Sequence, residues 1–194
     1  MLFRALTVVH DQEPHAAALN MAIDEVLLRS ARAPLLRIYR WAQPAVSFGY
    51  FGRLALVKES WAGRDLVRRW TGGGIVPHGE DVTYSVIVPR DCPFFRLSAA
   101  ESYEYIHGAV AAALNSTDHT DHTAHLAFEV APKLSEACFE NAVRHDVLVN
   151  GFKVAGAAQR RTRHGLLHQG SVQTNGSRAF VTQLGSLLGG TVEE

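Results

Sequence analysis

Residues 145–158, HDVLVNGFKVAGAA, constrain the fold more than any other stretch of the chain. Two apolar, β-branched runs flank Asn150-Gly151, a pair that tolerates positive φ at both central positions of a tight hairpin. Antiparallel sheet is therefore expected here, and the strand after the turn carries Lys153 inside an otherwise apolar run. A lysine two residues past a turn reads as a surface group on one sheet face, with Phe152 and Val154 on the other.

Around this hairpin the chain mixes strands and helices without strict alternation. The N-terminal run MLFRALTVVH reads as a first strand. Residues 14–30 read as a helix with Leu19, Ile23, Val26, Leu27 and Ser30 along one face. LLRIYRWA (35–42), AVSFGY (45–50), DLVRRW (65–70), VTYSVIV (82–88), LAFEV (126–130) and GLLHQGSVQ (165–173) have strand composition. Residues 54–62 and 179–188 read as short helices. Ser98 and Glu101 form an S-x-x-E capping box opening a helix whose buried face is Tyr103, Ile106, Val110 and Leu114. The expected class is α/β (α+β), with a mixed, largely antiparallel sheet flanked by helices in a single domain over 1–194. A doubly wound nucleotide fold is excluded.

With 47% apolar and 20% charged residues the chain can bury a sizeable core. Lys+Arg is 19 and Asp+Glu is 19, which argues against a coat for nucleic acid or an anionic membrane. No apolar run approaches the roughly 18 residues of a membrane-spanning helix, and the N-terminus lacks signal-peptide character. Two cysteines, Cys92 and Cys138, are too few for a disulfide scaffold, so a cytoplasmic setting is expected. His119, His122 and His125 stand at three-residue spacing in a polar stretch without cysteines. They are read as no metal site.

The chemistry concentrates in RRWTGGGIVPHGEDVTYS (68–85). Three glycines between strand-like runs let the backbone approach a ligand and turn its N–H groups toward an anion or carbonyl. On residues alone, a glycine-rich hairpin beside solvated arginines is an equal reading. From Asn150 to Gly170 the chain carries Lys153, Arg160, Arg161 and Arg163 and no acid. That strip is either an attractor for an anionic ligand or acidic carrier, or a solvated basic face.

The segment at 68–78 resembles the R-R-x-[ST]-G-G-G-x-V-x-H signature of the lipoate–protein ligase and octanoyltransferase family. LNMAIDEVLL (19–28), LRIYRWAQPAVSFGYF (36–51) and NGFKVAGAAQRRTRHGLLHQGS (150–171) resemble its further motifs in the same order. The resemblance implies the catalytic-domain fold of biotin and lipoate ligases. It implies Arg69, Thr71, Gly72, Gly73, Gly74, His78, Gly156 and Ala158 as substrate-binding residues. Lys153 matches the lysine that contacts the acyl carbonyl or its mixed anhydride with AMP, where a point charge stabilises developing negative charge. Cys138 matches the nucleophile of those octanoyltransferases that form an acyl-thioester. An ordinary thiol, with pKa about 8.5, needs a cationic neighbour to react at neutral pH, and Lys153 would supply it. Without the resemblance, a lone cysteine is a small buried hydrophobe.

The implied activity is transfer of an octanoyl or lipoyl group to a lysine of a lipoyl carrier domain, of the dehydrogenase-complex E2 or glycine-cleavage H protein type. Octanoyl-acyl carrier protein is the implied donor, with no tightly bound cofactor. The alternatives are an ATP-dependent ligase using lipoate, ATP and Mg through lipoyl-AMP, and a noncatalytic acyl- or carrier-binding subunit. Gly52 stands where the family commonly has Gln or Asn, and Pro77 precedes His78 where a less rigid residue is usual. No accessory C-terminal domain is expected. These departures count against a self-sufficient ligase.

Overall fold

The computed structural model describes residues 2–117, 123–128, 142–174 and 178–191. Its elements run β1 (Leu6–His10), α1 (Ala17–Ser30), β2 (Leu35–Tyr39), β3 (Ala45–Phe48), α2 (Leu54–Ser60), β4 (Asp65–Arg68), β5 (Ile75–His78) and β6 (Val82–Pro89). After a 3-10 turn at Pro93–Arg96 come α3 (Ala99–Thr117), β7 (His125–Leu126), β8 (Val147–Val149), β9 (Phe152–Arg161), β10 (Gly165–Val172), α4 (Arg178–Leu188) and β11 (Gly190–Thr191). The main sheet has the order β11-β1-β2-β6-β10-β9-β8-β7, and a smaller sheet has β4-β3-β5. Only the β11-β1, β1-β2 and β3-β4 pairs are parallel. The mixed, mostly antiparallel sheet follows from the hairpin chemistry. Asn150 and Gly151 adopt φ of 52° and 79°, and β8 and β9 pair across them.

β6 and β10 sit at the centre and are buried on both faces, their apolar residues interrupted by the buried polar Thr83, Ser85, His168, Gln169 and Ser171. One face packs on α3 and α4, giving a core of residues such as Leu36, Val86, Ile106, Leu166 and Phe180. The other face meets α1 through Ile87, Leu167 and Leu28. The Ser98–Glu101 box forms reciprocally: the Ser98 N–H donates to Glu101 Oε2 at 2.8 Å, and the Glu101 N–H to Ser98 Oγ at 3.2 Å.

α1 does not bury the stripe expected from its apolar spacing. Leu19 and Val26 are 48% and 61% exposed, while Ala17, Asn20, Met21, Asp24 and Leu28 face inward. Buried Arg37 on β2 decides the matter, because its guanidinium needs anionic and carbonyl partners and the polar side of α1 offers Asp24 and Asn20. Ile75–His78, between the glycines and β6, is a further strand. Pro77 is accommodated there because β5 is an edge. Of the LAFEV stretch only Leu126 is paired, and residues 129–130 lie outside the described ones.

Candidate active site

Between the α1 face of the main sheet and the glycine stretch lies a cleft with about 450 Å³ of empty space, its open mouth included. Its walls include Gly73 and Val76 on one side and Gly156, Ala157 and Ala158 of β9 on the other, with Ser47, Arg69, His78 and Gln169 at its base. Small residues along β9 keep the strand backbone at the surface of the cleft, as the sequence implied for Gly156 and Ala158.

The glycine stretch is held by two buried hydrogen-bond networks. In one, Arg69 donates from Nη2 to the carbonyls of Gly72 (3.0 Å) and Gly74 (2.9 Å), and from Nη1 to Ser47 Oγ (2.8 Å). Ser47 Oγ lies 2.6 Å from His78 Nε2, and His78 Nδ1 lies 2.8 Å from Asp81 Oδ2. A carboxylate only accepts, so Nδ1 carries the proton and, in the neutral ring, Nε2 receives the Ser47 hydroxyl. Asp81 also accepts from Ser171 (2.6 Å), Thr83 (2.9 Å) and the Gly79 N–H. Burial would raise the Asp81 carboxyl, but His78 and these other donors outweigh it and hold its pKa below the usual carboxylate range. Trp41 stacks on His78, with centroids 4.2 Å apart, and donates to Thr83.

The other network starts at Arg37, which pairs with Asp24 Oδ1 (2.9 Å) and Asp11 (2.8 Å). Asp24 Oδ2 accepts from Ser85 (2.5 Å) and from Gln169 Nε2 (2.8 Å), and Gln169 Oε1 accepts from Thr71 (2.9 Å). Complete burial raises the Asp24 pKa although Arg37 opposes it. Arg69 and His78 therefore reach the cleft and Thr71 lies behind it, all three as buried braces of the loop. Gly73 adopts φ of +88°, which a residue with a Cβ rarely does, and its carbonyl packs where a side chain on Gly49 would stand.

Lys153 is not the surface group its place beside the turn suggested. Its side chain is 3% exposed, and Nζ lies 2.7 Å from Oδ2 of the fully buried Asp146. Asp146 also accepts from the Tyr103 hydroxyl (2.6 Å) and the Val143 N–H (2.8 Å). The same Tyr103 oxygen bridges the N–H and carbonyl of Ala157 on β9. The lysine lies over Gly156, where an added Cβ would stand 2.7 Å from Nζ and closer still to Cε. Gly156 is thus required by the lysine as well as by the cleft.

The basic strip at 153–163 divides. Successive strand residues face opposite ways, so Arg160 reaches the Trp70 carbonyl and covers the rings of Tyr50 and Trp70. Arg161 reaches the Phe95 carbonyl and Ser102 on the α3 side. Cys138, His119 and His122 lie outside the described residues.

Sequence reasoning passed over Ser47, Asp24, Asp81, Tyr103, Asp146 and Gln169. The available signal was polarity in the wrong place: Arg37, Ser47, Ser85 and Gln169 each interrupt a run that must be buried to make a sheet.

The lipoyl protein ligase A/B catalytic domain profile matches residues 16–190. The chain belongs to this family. Among members of the lipoyl protein ligase A/B family, octanoyltransferase LipM of Clostridioides difficile is 35% identical over 177 residues, covering 85% of this chain and 64% of that protein. The chain thus spans a little under two thirds of the length of that relative. A crystal structure of lipoate-protein ligase A bound with ATP superposes with a TM-score of 0.69 at 20% identity, over 100% of this chain and 88% of the other. A bi-partite lipoate protein ligase from Thermoplasma acidophilum, described with its E2 lipoyl domain, gives 0.67 at 20% identity, over 100% and 86%. The fold expected from the family resemblance is therefore the fold observed. Among the described residues no helix is long and apolar enough to cross a membrane.

Proposed function

We propose that this chain transfers an octanoyl group from an acyl carrier protein thioester to a specific lysine of a lipoyl carrier domain, by way of an acyl-thioester on Cys138. One observation supports the reading above others: Lys153, matching the family lysine, is held by Asp146 over Gly156, and Gly156 is part of the cleft wall. Similarity to an octanoyltransferase over most of the chain supports the acyl group and the acceptor.

In the first step the Cys138 thiolate adds to the thioester carbonyl. The carbon–sulfur bond to the donor breaks, and the donor thiolate departs to take up a proton. In the second, the neutral amine of the acceptor lysine adds to the acyl-enzyme, loses its proton, and expels Cys138 as thiolate, leaving an amide. Each step passes through an oxyanion, and a cation held in a water-poor site stabilises it by an amount comparable to the roughly 3–4 kcal/mol of an oxyanion-hole donor. Asp146 and Tyr103 keep that cation in place. Arg69, Thr71 and His78 fix the glycine backbone that walls the cleft against the acyl chain. E2-type or H-protein-type lipoyl domains are the proposed acceptors.

Incubation with octanoyl-acyl carrier protein followed by intact-mass analysis tests the reading. The protein should gain one octanoyl group, Cys138→Ser should not, and a lipoyl domain added afterwards should take the group over. A need for ATP, with release of pyrophosphate and no acyl-enzyme, would replace the transferase by a ligase.

A further inference from the structure

At the opposite end of the main sheet from the cleft, the N-terminal segment, the α1–β2 connection, the β6 end and the β9–β10 turn surround a groove of about 860 Å³. Five arginines line it: Arg4, Arg29, Arg32, Arg90 and Arg163, with His164 beside them. All five are exposed. Among the described residues that line it Asp91 is the one carboxylate, and Arg29 is paired with Glu25 beside it. Among the described residues the guanidinium groups of Arg4, Arg32 and Arg90 make no hydrogen bond or ion pair. A chain of zero net charge has gathered an uncompensated cationic surface in one concavity.

We propose that this groove binds a compact polyphosphate, free or carried by a nucleoside. Charge density selects the ligand class. Several positive charges around one small volume call for several negative charges within it, which a phosphate chain supplies over a few ångströms. An extended acidic peptide brings at best one carboxylate per roughly 3.3 Å of chain. Planar guanidinium forks match phosphate oxygens bidentately, and the formal positive charges lining the groove are all arginines. The walls are stiff: Pro34, Pro89 and Pro93 fix the backbone on two sides. A concave, pre-set wall suits a small ligand better than the convex face of a folded partner.

The groove is a site of its own. His164 lines the groove and Ser171 the cleft, and between them β10 runs from Gly165 to Ser171, roughly 20 Å at strand rise. The inference does not depend on the acyl-transfer reading.

Calorimetric titration of the whole chain with inorganic tripolyphosphate at low salt tests it. Binding should be at about 100 μM or tighter, and weaken steeply with added salt. The double variant Arg32→Glu/Arg90→Glu should lose affinity at least about tenfold with an unchanged melting temperature and unchanged acyl transfer. Arg4→Gln/Arg163→Gln, a milder pair, guards against misfolding and should show the same direction. Equal binding of ADP and pyrophosphate would identify a free polyphosphate, and tighter ADP a nucleotide; either supports the site. No binding, binding indifferent to both double variants, or tighter binding of a glutamate peptide or single-stranded DNA would overturn it.

Discussion

Lys153 and Asp146 are the residues on which stability and chemistry meet. Replacing Lys153 by Ala strands a buried carboxylate, which costs about 3 kcal/mol where the pair is fully enclosed. A urea melt of Lys153→Ala should therefore show a large loss, and octanoyl transfer should fall below detection. The double variant Lys153→Ala/Asp146→Asn separates the two roles: much of the stability should return, and none of the activity. Recovery of turnover in the double variant would exclude the lysine from the reaction. Gly156→Ala is the subtler case. The added methyl pushes the end of the lysine away from Asp146, so the fold should lose about 1–3 kcal/mol, at most what Lys153→Ala loses. Turnover should nevertheless drop by about a hundredfold, since the cation leaves its place.

At the scale of elements, the glycine stretch is set from behind, through the chain Asp24, Gln169 and Thr71 that joins α1 to β10 and to the loop. Thr71→Val keeps the shape and removes the donor to Gln169, leaving a buried acceptor unsatisfied at a cost of about 1–3 kcal/mol. Steady-state kinetics should show a raised KM for the acyl donor with kcat less affected, because the loop wall shifts while Lys153 is untouched. An unchanged KM would mean that the loop holds its shape without this tie. The hairpin at Asn150-Gly151 and the Ser98–Glu101 cap were legible in the sequence because local chemistry alone determines them. The inward face of α1 was not: its apolar spacing indicated one side, and a buried arginine on a different element demanded the other. Lys153 was misjudged for the same reason, since Asp146 approaches it from across a hairpin and Tyr103 from a helix far off in sequence. Of the residues that the family motifs named, Arg69, Gly73, His78, Gly156 and Ala158 line the cleft, and the motifs gave no sign that Arg69, Thr71 and His78 brace the backbone.

For the molecule as a whole, acid is the condition that should undo the fold. His107 and His168 are buried beside Tyr103 and Tyr84 between α3 and the sheet. Burial lowers the His107 pKa to about 4 and pushes that of His168 well below its ordinary value. His107 donates from Nδ1 to the His145 carbonyl, and its Nε2 has no partner to stabilise an added proton. The unfolded chain, with ordinary histidines near pH 6.5, binds more protons than the folded one between about pH 6.5 and 4. Stability is therefore complete above about 6.5 and falls as pH drops through that window. Asp81, whose folded pKa is depressed, adds a further loss as pH falls through the carboxylate range, whereas Asp24, whose pKa is raised, works in the opposite sense. Urea midpoints measured from pH 7.5 to 4.5 should decline steadily, and His107→Phe should flatten the slope. A midpoint independent of pH over that range would contradict the burial of neutral imidazoles.

The stacking of Trp41 on His78 has a practical side. An indole in the cleft wall, face to face with an imidazole, is a built-in optical reporter. Its emission depends on the water around it, so it should respond to an acyl chain entering the cleft. Trp61 and Trp70 lie outside that wall. Stopped-flow fluorescence with unlabelled octanoyl donor should thus follow ligand entry without any attached dye, and Trp41→Phe should abolish the change. The protein would report its own filling in real time, before any product has formed.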